Sequence, residues 1–418
     1  MPTNSETENN SKYKWFVMVL AGLTATLVVA MPAMSMPVLF AEISDDIGLT
    51  IVEIGAIWGT GSLAGLFTGL AAGTIGDKFG TRRTLAVSCV LIGIAGALRA
   101  FSTDFVTLGA TVFLGGLLGP IIPLSLHKAC GVWFSDRHLG LANGFVAGGM
   151  AFGFMTGAMV SATLLSPLLG GWQYVMVFYG VVAVLMSIPW ALSRPAPTRE
   201  SAAGVGSTTS IRHAFSHVVR LKNVWILGLA MLGIGGCIQG ALGYLPLYLR
   251  EIGWPGPQAD GALATFHAMS LLMVFPIALL SDRLGSRKRL MIIATLMVAV
   301  GIGSLAVVPG PLVWASVILA GLVRDGFMAI YMTMLTELDG VGALYAGTAI
   351  GLSGTLSRLG GLVAPPVGNS LATLNLNLPF LFWAGMALAG LVCLFFVREG
   401  KPKETGADYL PVTSSELV

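Results

Sequence analysis

The chain has 418 residues, 55% of them hydrophobic and only 10% charged, with a mean hydropathy of +0.83. A soluble domain carries about 25% charged residues, so this composition excludes one and points to a polytopic membrane protein. The small net charge of +3 gives no footprint for nucleic acid, and the long continuous apolar segments exclude a transmembrane β-barrel.

Residues 1–14 are polar and lead into an apolar span without a small-residue cleavage site, which predicts a cytoplasmic tail and not a secretory signal. A membrane span needs about 20 apolar residues. Twelve segments qualify: 15–40, 52–75, 83–102, 105–132, 139–167, 173–193, 224–249, 259–280, 289–308, 312–337, 344–371 and 378–397. The predicted fold class is therefore all-α, with six spans in residues 15–193 and six in 223–397. Between them, residues 194–222 form a cytoplasmic linker. Its second part, IRHAFSHVVRLK, puts Ile211, Phe215, Val218 and Val219 on one face of an amphipathic helix. Residues 398–418 form a second cytoplasmic tail.

Span 1 contains Pro32 and Pro37 and is expected to bend. After span 2 the chain reads GTIGDKFGTRR, and after span 8 it reads ALLSDRLGSRK. Asp77 recurs as Asp282, Gly80 as Gly285, Arg82 as Arg287 and Arg83 as Lys288, all at one offset, with Arg283 inside the second copy. Two halves carrying the same loop at the same place indicate a duplicated unit, as in many transporters. The glycines permit a tight turn. Asp77 and Asp282 can sit at the N-terminus of a span from the other half, where the helix dipole favours a carboxylate. The residues expected to form this gating loop are Gly73, Asp77, Gly80, Arg82, Arg83, Asp282, Arg283, Gly285 and Arg287.

Of the 23 Lys and Arg residues, all but Arg99, Lys128, Arg250, Arg324 and Arg358 fall in segments that share one side with the N-terminus. The positive-inside rule then places both termini in the cytoplasm.

Polar residues inside spans mark function, because a charge at the bilayer centre costs about 2.5–3.5 kcal/mol on insertion scales. Arg324 and Asp325 lie at the midpoint of span 10 and Arg358 at the midpoint of span 11. Asp325 is the one acidic residue deep in a span; Glu53, Asp260 and Glu337 lie at span ends, within reach of water. Helix neighbours point about 100° apart, so Arg324 and Asp325 are not expected to pair directly. Asp325 shares a face with Gly321 and Ala329, and Arg358 with Gly351, Gly354 and Gly361. Close approach of spans 10 and 11 is therefore expected, with Asp325 paired to Arg358 and Arg324 facing a cavity; the swapped assignment, with Arg358 free, stays open. Either way two cations against one anion suit a small anion, which Arg grips with a rigid fork of donors. A structural network locking the second half is the alternative. Gln239, midway along span 7, is a candidate neutral contact. His267 in span 8 is either a packed histidine or a titrating contact. Asp325 is the candidate for proton coupling.

The first loop matches the pattern G-x-x-x-D-K/R-x-G-x-R-K/R, carried by Gly73, Asp77, Lys78, Gly80, Arg82 and Arg83, while the second copy departs from it at Ala278. With WFSDRHLGLANG at 133–144 and the glycines of span 5 (Gly144, Gly148, Gly149, Gly153 and Gly157), the chain resembles the major facilitator superfamily over essentially its whole length. The resemblance implies two six-helix bundles around a central cavity lined by spans 1, 4, 7 and 10, with alternating access by rocking. It also implies a secondary transporter in the cytoplasmic (inner) membrane, a monomer, working on a small organic anion such as a monocarboxylate with protons or by exchange. A nitrate, nitrite or cyanate carrier and a multidrug or metabolite exporter are the alternatives, and a non-transporting membrane sensor is a different one. GLSGTLSRLGG (351–361) resembles the nitrate-porter signature except at Ser357 and Arg358. Carboxylate branches carry an arginine where this chain has Phe275, before Pro276. No phosphate-binding loop, metal-ligand cluster or nucleophile–base set stands in the sequence, so no cofactor, metal or catalysis is expected.

Overall fold

A computed structural model describes residues 4–68, 79–134, 138–195, 211–284 and 286–398. The described residues are helical, with no strand among them, and a helix lies over each predicted span. Nine of these helices are long and apolar enough to cross a membrane by length and composition alone among the described residues.

Helix α1 (Asn4–Thr24) runs back into the expected tail and continues through a π turn (Ala25–Ala30) into α2 (Met31–Ile47). Then follow α3 (Ile51–Thr68), α4 (Thr81–Leu98), α5 (Phe105–Leu118), α6 (Ile121–Trp133) and α7 (Leu139–Val160). A second π turn (Ser161–Leu165) leads to the short α8 (Ser166–Leu169), and α9 (Trp172–Leu192) ends the first half. The linker helix is α10 (Ile211–Val218). The second half holds α11 (Lys222–Glu251), α12 (Gly256–Leu284), α13 (Arg287–Ser304), α14 (Leu312–Gly321), α15 (Arg324–Glu337), α16 (Gly342–Ala372) and α17 (Leu378–Phe396).

Local chemistry sets several starts. Thr50 and Glu53 form a capping box at α3: the Thr50 N–H donates to Glu53 Oε2 at 2.8 Å and the Glu53 N–H to Thr50 Oγ1 at 3.3 Å. Asp104 and Thr107 do the same for α5. There the Thr107 N–H, 2.9 Å from Oδ1, holds the Asp104 carboxyl below the usual carboxylate range.

Glycine decides how the helices pack. Gly149, Gly153 and Gly157 let α7 lie against the backbone of Gly22, Thr26 and Met31, and Thr26 Oγ1 donates to Gly149 O at 2.8 Å. The two halves meet most extensively along two seams, α3 against α16 and α7 against α12, with a smaller contact of α2 on α11. In the first seam a methyl at Gly59 would sit 2.5 Å from the Leu362 carbonyl oxygen. Gly59→Val should therefore cost about 1–3 kcal/mol by overpacking, read as a lower Tm of the purified protein.

Gly80, just before α4, adopts φ 75° and ψ 150°, a backbone conformation that side chains other than glycine rarely take. Arg82 donates to the Ala191 carbonyl at the end of α9, and Lys288 donates to Phe395 O at 2.8 Å and Val397 O at 2.7 Å at the end of α17. Each copy of the loop thus supplies cations to the free carbonyls of the last helix of its own half. Arg287 pairs with Glu337 at 2.9 Å. Gly73, Asp77 and Gly285 lie outside the described residues, as do the side chains of Asp282 and Arg283.

Candidate functional site

Span 10 is not one helix. It breaks at Leu322 and Val323, between α14 and α15, so Arg324 and Asp325 open the first turn of a new helix midway along the span. The break has non-local causes. Gly321 lies against the Phe266 backbone of α12, where a side chain would collide, and Ser270 of α12 accepts the Asp325 N–H at 3.1 Å. The acceptor replaces the carbonyl that a continuous helix would have supplied.

This geometry corrects the expected pairing. Arg324 Nη1 donates directly to Asp325 Oδ1 at 2.8 Å, with the two side chains 23% and 25% exposed. The 100° argument fails because an arginine at a helix start is free to curl back on its neighbour. A carboxylate in the first turn also meets the positive end of the helix dipole. The Arg324 guanidinium lies 5.3 Å from the Phe154 ring centroid of α7, a cation–π contact made across the halves.

Arg358 does not meet Asp325. It is half-buried in α16 and turns to α3, where a methyl at Gly65 would lie 2.9 Å from its Nε. It has no hydrogen bond or ion pair among the described residues. Of the glycines expected on its face, Gly361 serves the same neighbour, since a methyl there would meet Ser62 Oγ at 2.7 Å, while a methyl at Gly354 would meet nothing. Spacing showed a face made for close approach, and the partner is α3, not span 10. The two arginines therefore flank the interface of the halves, Arg324 on the seam of α7 and α12 and Arg358 on that of α3 and α16.

His267 is buried, 1% exposed, between Phe154 and Phe266, with Nε2 3.2 Å from Met34 Sδ. Its Nδ1 is buried and has no hydrogen-bond partner among the described residues, so packing alone does not satisfy the ring. Gln239 is half-buried; its carbonyl accepts the Trp58 indole N–H at 2.7 Å, and its side chain lies near Gly361.

The sequence missed Asp260. Expected within reach of water, it is 1% exposed. Its Oδ1 takes Arg250 Nη2 at 2.7 Å and its Oδ2 the hydroxyl of Thr163 at 2.8 Å, across the halves. Asn369 Nδ2 reaches the Ile51 carbonyl at 2.8 Å, again across the halves. Four contacts that join the halves, these two with Trp58–Gln239 and His267–Met34, lie between the middle of the bundle and the end opposite the Gly80 turn, here the far face.

The chain matches the family model described as Major Facilitator Superfamily over residues 15–339 and 253–411. It is similar to the cis,cis-muconate transport protein of Acinetobacter baylyi, 23% identical over 96% of this chain and 98% of that one. It is also similar to the probable nitrate/nitrite antiporter NarK1 of Thermus thermophilus, 26% identical over 88% of this chain and 86% of that one. Among solved structures, a mutant of the nucleoside transporter NupG shares the fold at TM-score 0.76 and 13% identity, covering 92% of this chain and 100% of that chain.

Proposed function

We propose, for a chain that belongs to the Major Facilitator Superfamily and is a membrane transporter and not an enzyme, that its cargo is a small organic anion of the monocarboxylate type, bound between Arg324 and Arg358. The observation that carries this reading is the Arg358 guanidinium, half-buried midway along α16 with no ion-pair partner among the described residues. Since Arg324 and Asp325 neutralise each other, the site keeps one positive charge in a low-dielectric setting. That charge attracts a monoanion and repels an organic cation. Relatives named for muconate and for nitrate/nitrite support an anion.

Coupling follows from the Arg324–Asp325 contact. An anion that draws Arg324 away leaves the carboxylate uncompensated, and it then takes a proton; substrate exchange is the other mode. The hydrogen bonds across the far face are ones that alternating access, by rocking of the halves, would break and remake when the site opens away from the loop side. In the proposed orientation that side is the cytoplasm of a cell with the protein in its inner membrane, as a monomer with both termini inside. The two halves, 15–193 and 223–397, are the rocking units, joined by 194–222.

Counterflow in proteoliposomes tests the reading, with labelled pyruvate, cis,cis-muconate and nitrate as probes. Exchange of pyruvate is expected; exchange of the dicarboxylate muconate alone moves the cargo to organic dianions. Exchange of nitrate alone moves the cargo to inorganic anions. Binding without exchange of any probe sinks transport in favour of a sensor. A proton gradient should drive accumulation; uptake indifferent to it removes Asp325 from coupling.

A further inference from the structure

A second basic site lies away from the midplane. A cavity of about 760 Å³ opens at the loop face, between the start of α11, the first turn of α13 and the end of α17. Lys222, Lys288 and Arg398 line it against a single carboxylate, Asp339. Lys288 is held in place by the carbonyls of Phe395 and Val397. Lys222 and Arg398 have no hydrogen bond or ion pair among the described residues.

Asn223 apart, the rest of the lining is apolar and continuous with the outer surface of the bundle. Leu229 is 46% exposed and Phe396 68%. Next to the cavity, the Trp225 indole is 37% exposed and donates to Val219 O at 2.8 Å. An indole so placed at a span end marks the level of the lipid headgroups. The cavity therefore has cations at headgroup depth and a hydrocarbon-facing wall beneath them.

We propose that this cavity binds an anionic phospholipid. Its phosphodiester would sit among Lys222, Lys288 and Arg398, with an acyl chain along Leu229 and Phe396. A zwitterionic lipid carries its own cation into the site and loses most of the attraction. Selectivity for phosphatidylglycerol over phosphatidylethanolamine follows from charge.

The test is native mass spectrometry of the purified full chain mixed with phosphatidylglycerol or phosphatidylethanolamine. The wild type should retain phosphatidylglycerol preferentially. Lys222→Ser with Arg398→Ser should weaken that retention roughly 30-fold, about fivefold for each charge lost, with phosphatidylethanolamine retention and Tm unchanged. The charge-conserving pair Lys222→Arg and Arg398→Lys should retain the lipid as the wild type does. Equal retention of the two lipids by the wild type overturns the proposal, as does undiminished retention by the serine variant or loss in the conservative one. Displacement of phosphatidylglycerol by excess inorganic phosphate also overturns it, since the ligand would then be the free ion.

Discussion

Arg358→Lys should weaken anion affinity by about ten- to a hundredfold, the loss of one charge-assisted hydrogen-bonding arrangement worth about 1.5–3 kcal/mol. Counterflow as a function of substrate concentration measures it. The ammonium keeps the charge and loses the planar fork, so the deficit should fall on affinity and leave Tm close to wild type. Arg358→Ala removes the uncompensated charge as well and should abolish exchange. Arg324→Lys offers the comparison. It keeps a cation beside Asp325 and loses part of the contact with the Phe154 ring, so a smaller deficit is expected. If both lysine variants transport with wild-type affinity, arginine does not coordinate the cargo.

The second large effect belongs to the far face. Asp260→Ala leaves Arg250 without its carboxylate in a site where the acid is 1% and the base 21% exposed. Breaking a buried pair costs about 3–5 kcal/mol, and the partial exposure of Arg250 argues for the lower end. Thr163→Ala keeps the ion pair and removes only the hydroxyl that reaches across the halves, a loss of about 1 kcal/mol. Thermal unfolding of the two single variants and the double variant forms a cycle. In the Asp260→Ala background Thr163→Ala should cost little further, because its acceptor is already gone. A full extra loss there would mean that Thr163 acts through some other contact.

The apolar helices, the duplicated loop and the charges within apolar runs were legible because each is a local property: apolar length, a repeated motif, a charge among apolar neighbours. What Arg324, Asp325 and Arg358 touch was not. No proline stands at Leu322–Val323 to announce the break; it follows from the Phe266 backbone pressing on Gly321 and from the Ser270 hydroxyl, both on another helix. Once the helix stops, the ideal geometry that kept Arg324 from Asp325 no longer applies. Arg358 was misdirected for a related reason. Small residues reveal that something comes close to a helix face, and chain order suggested span 10, whereas the packing supplies α3 from the other half. Asp260 escaped because its partners stand ten residues back and in the other half, and only burial gives the trio its weight.

The two cation-to-carbonyl caps bear on biogenesis. Arg82 meets the end of α9 and Lys288 the end of α17, so each anchor closes within its own half of the chain. The ribosome finishes residue 192 well before it begins the second unit, and domains fold in the order in which they are made. The first unit can therefore seal its last helix in the bilayer while its partner is still untranslated, and the second repeats the step without help from the first. The contacts between the halves, the seams through Gly59 and Asp260 foremost, have to wait for the whole chain.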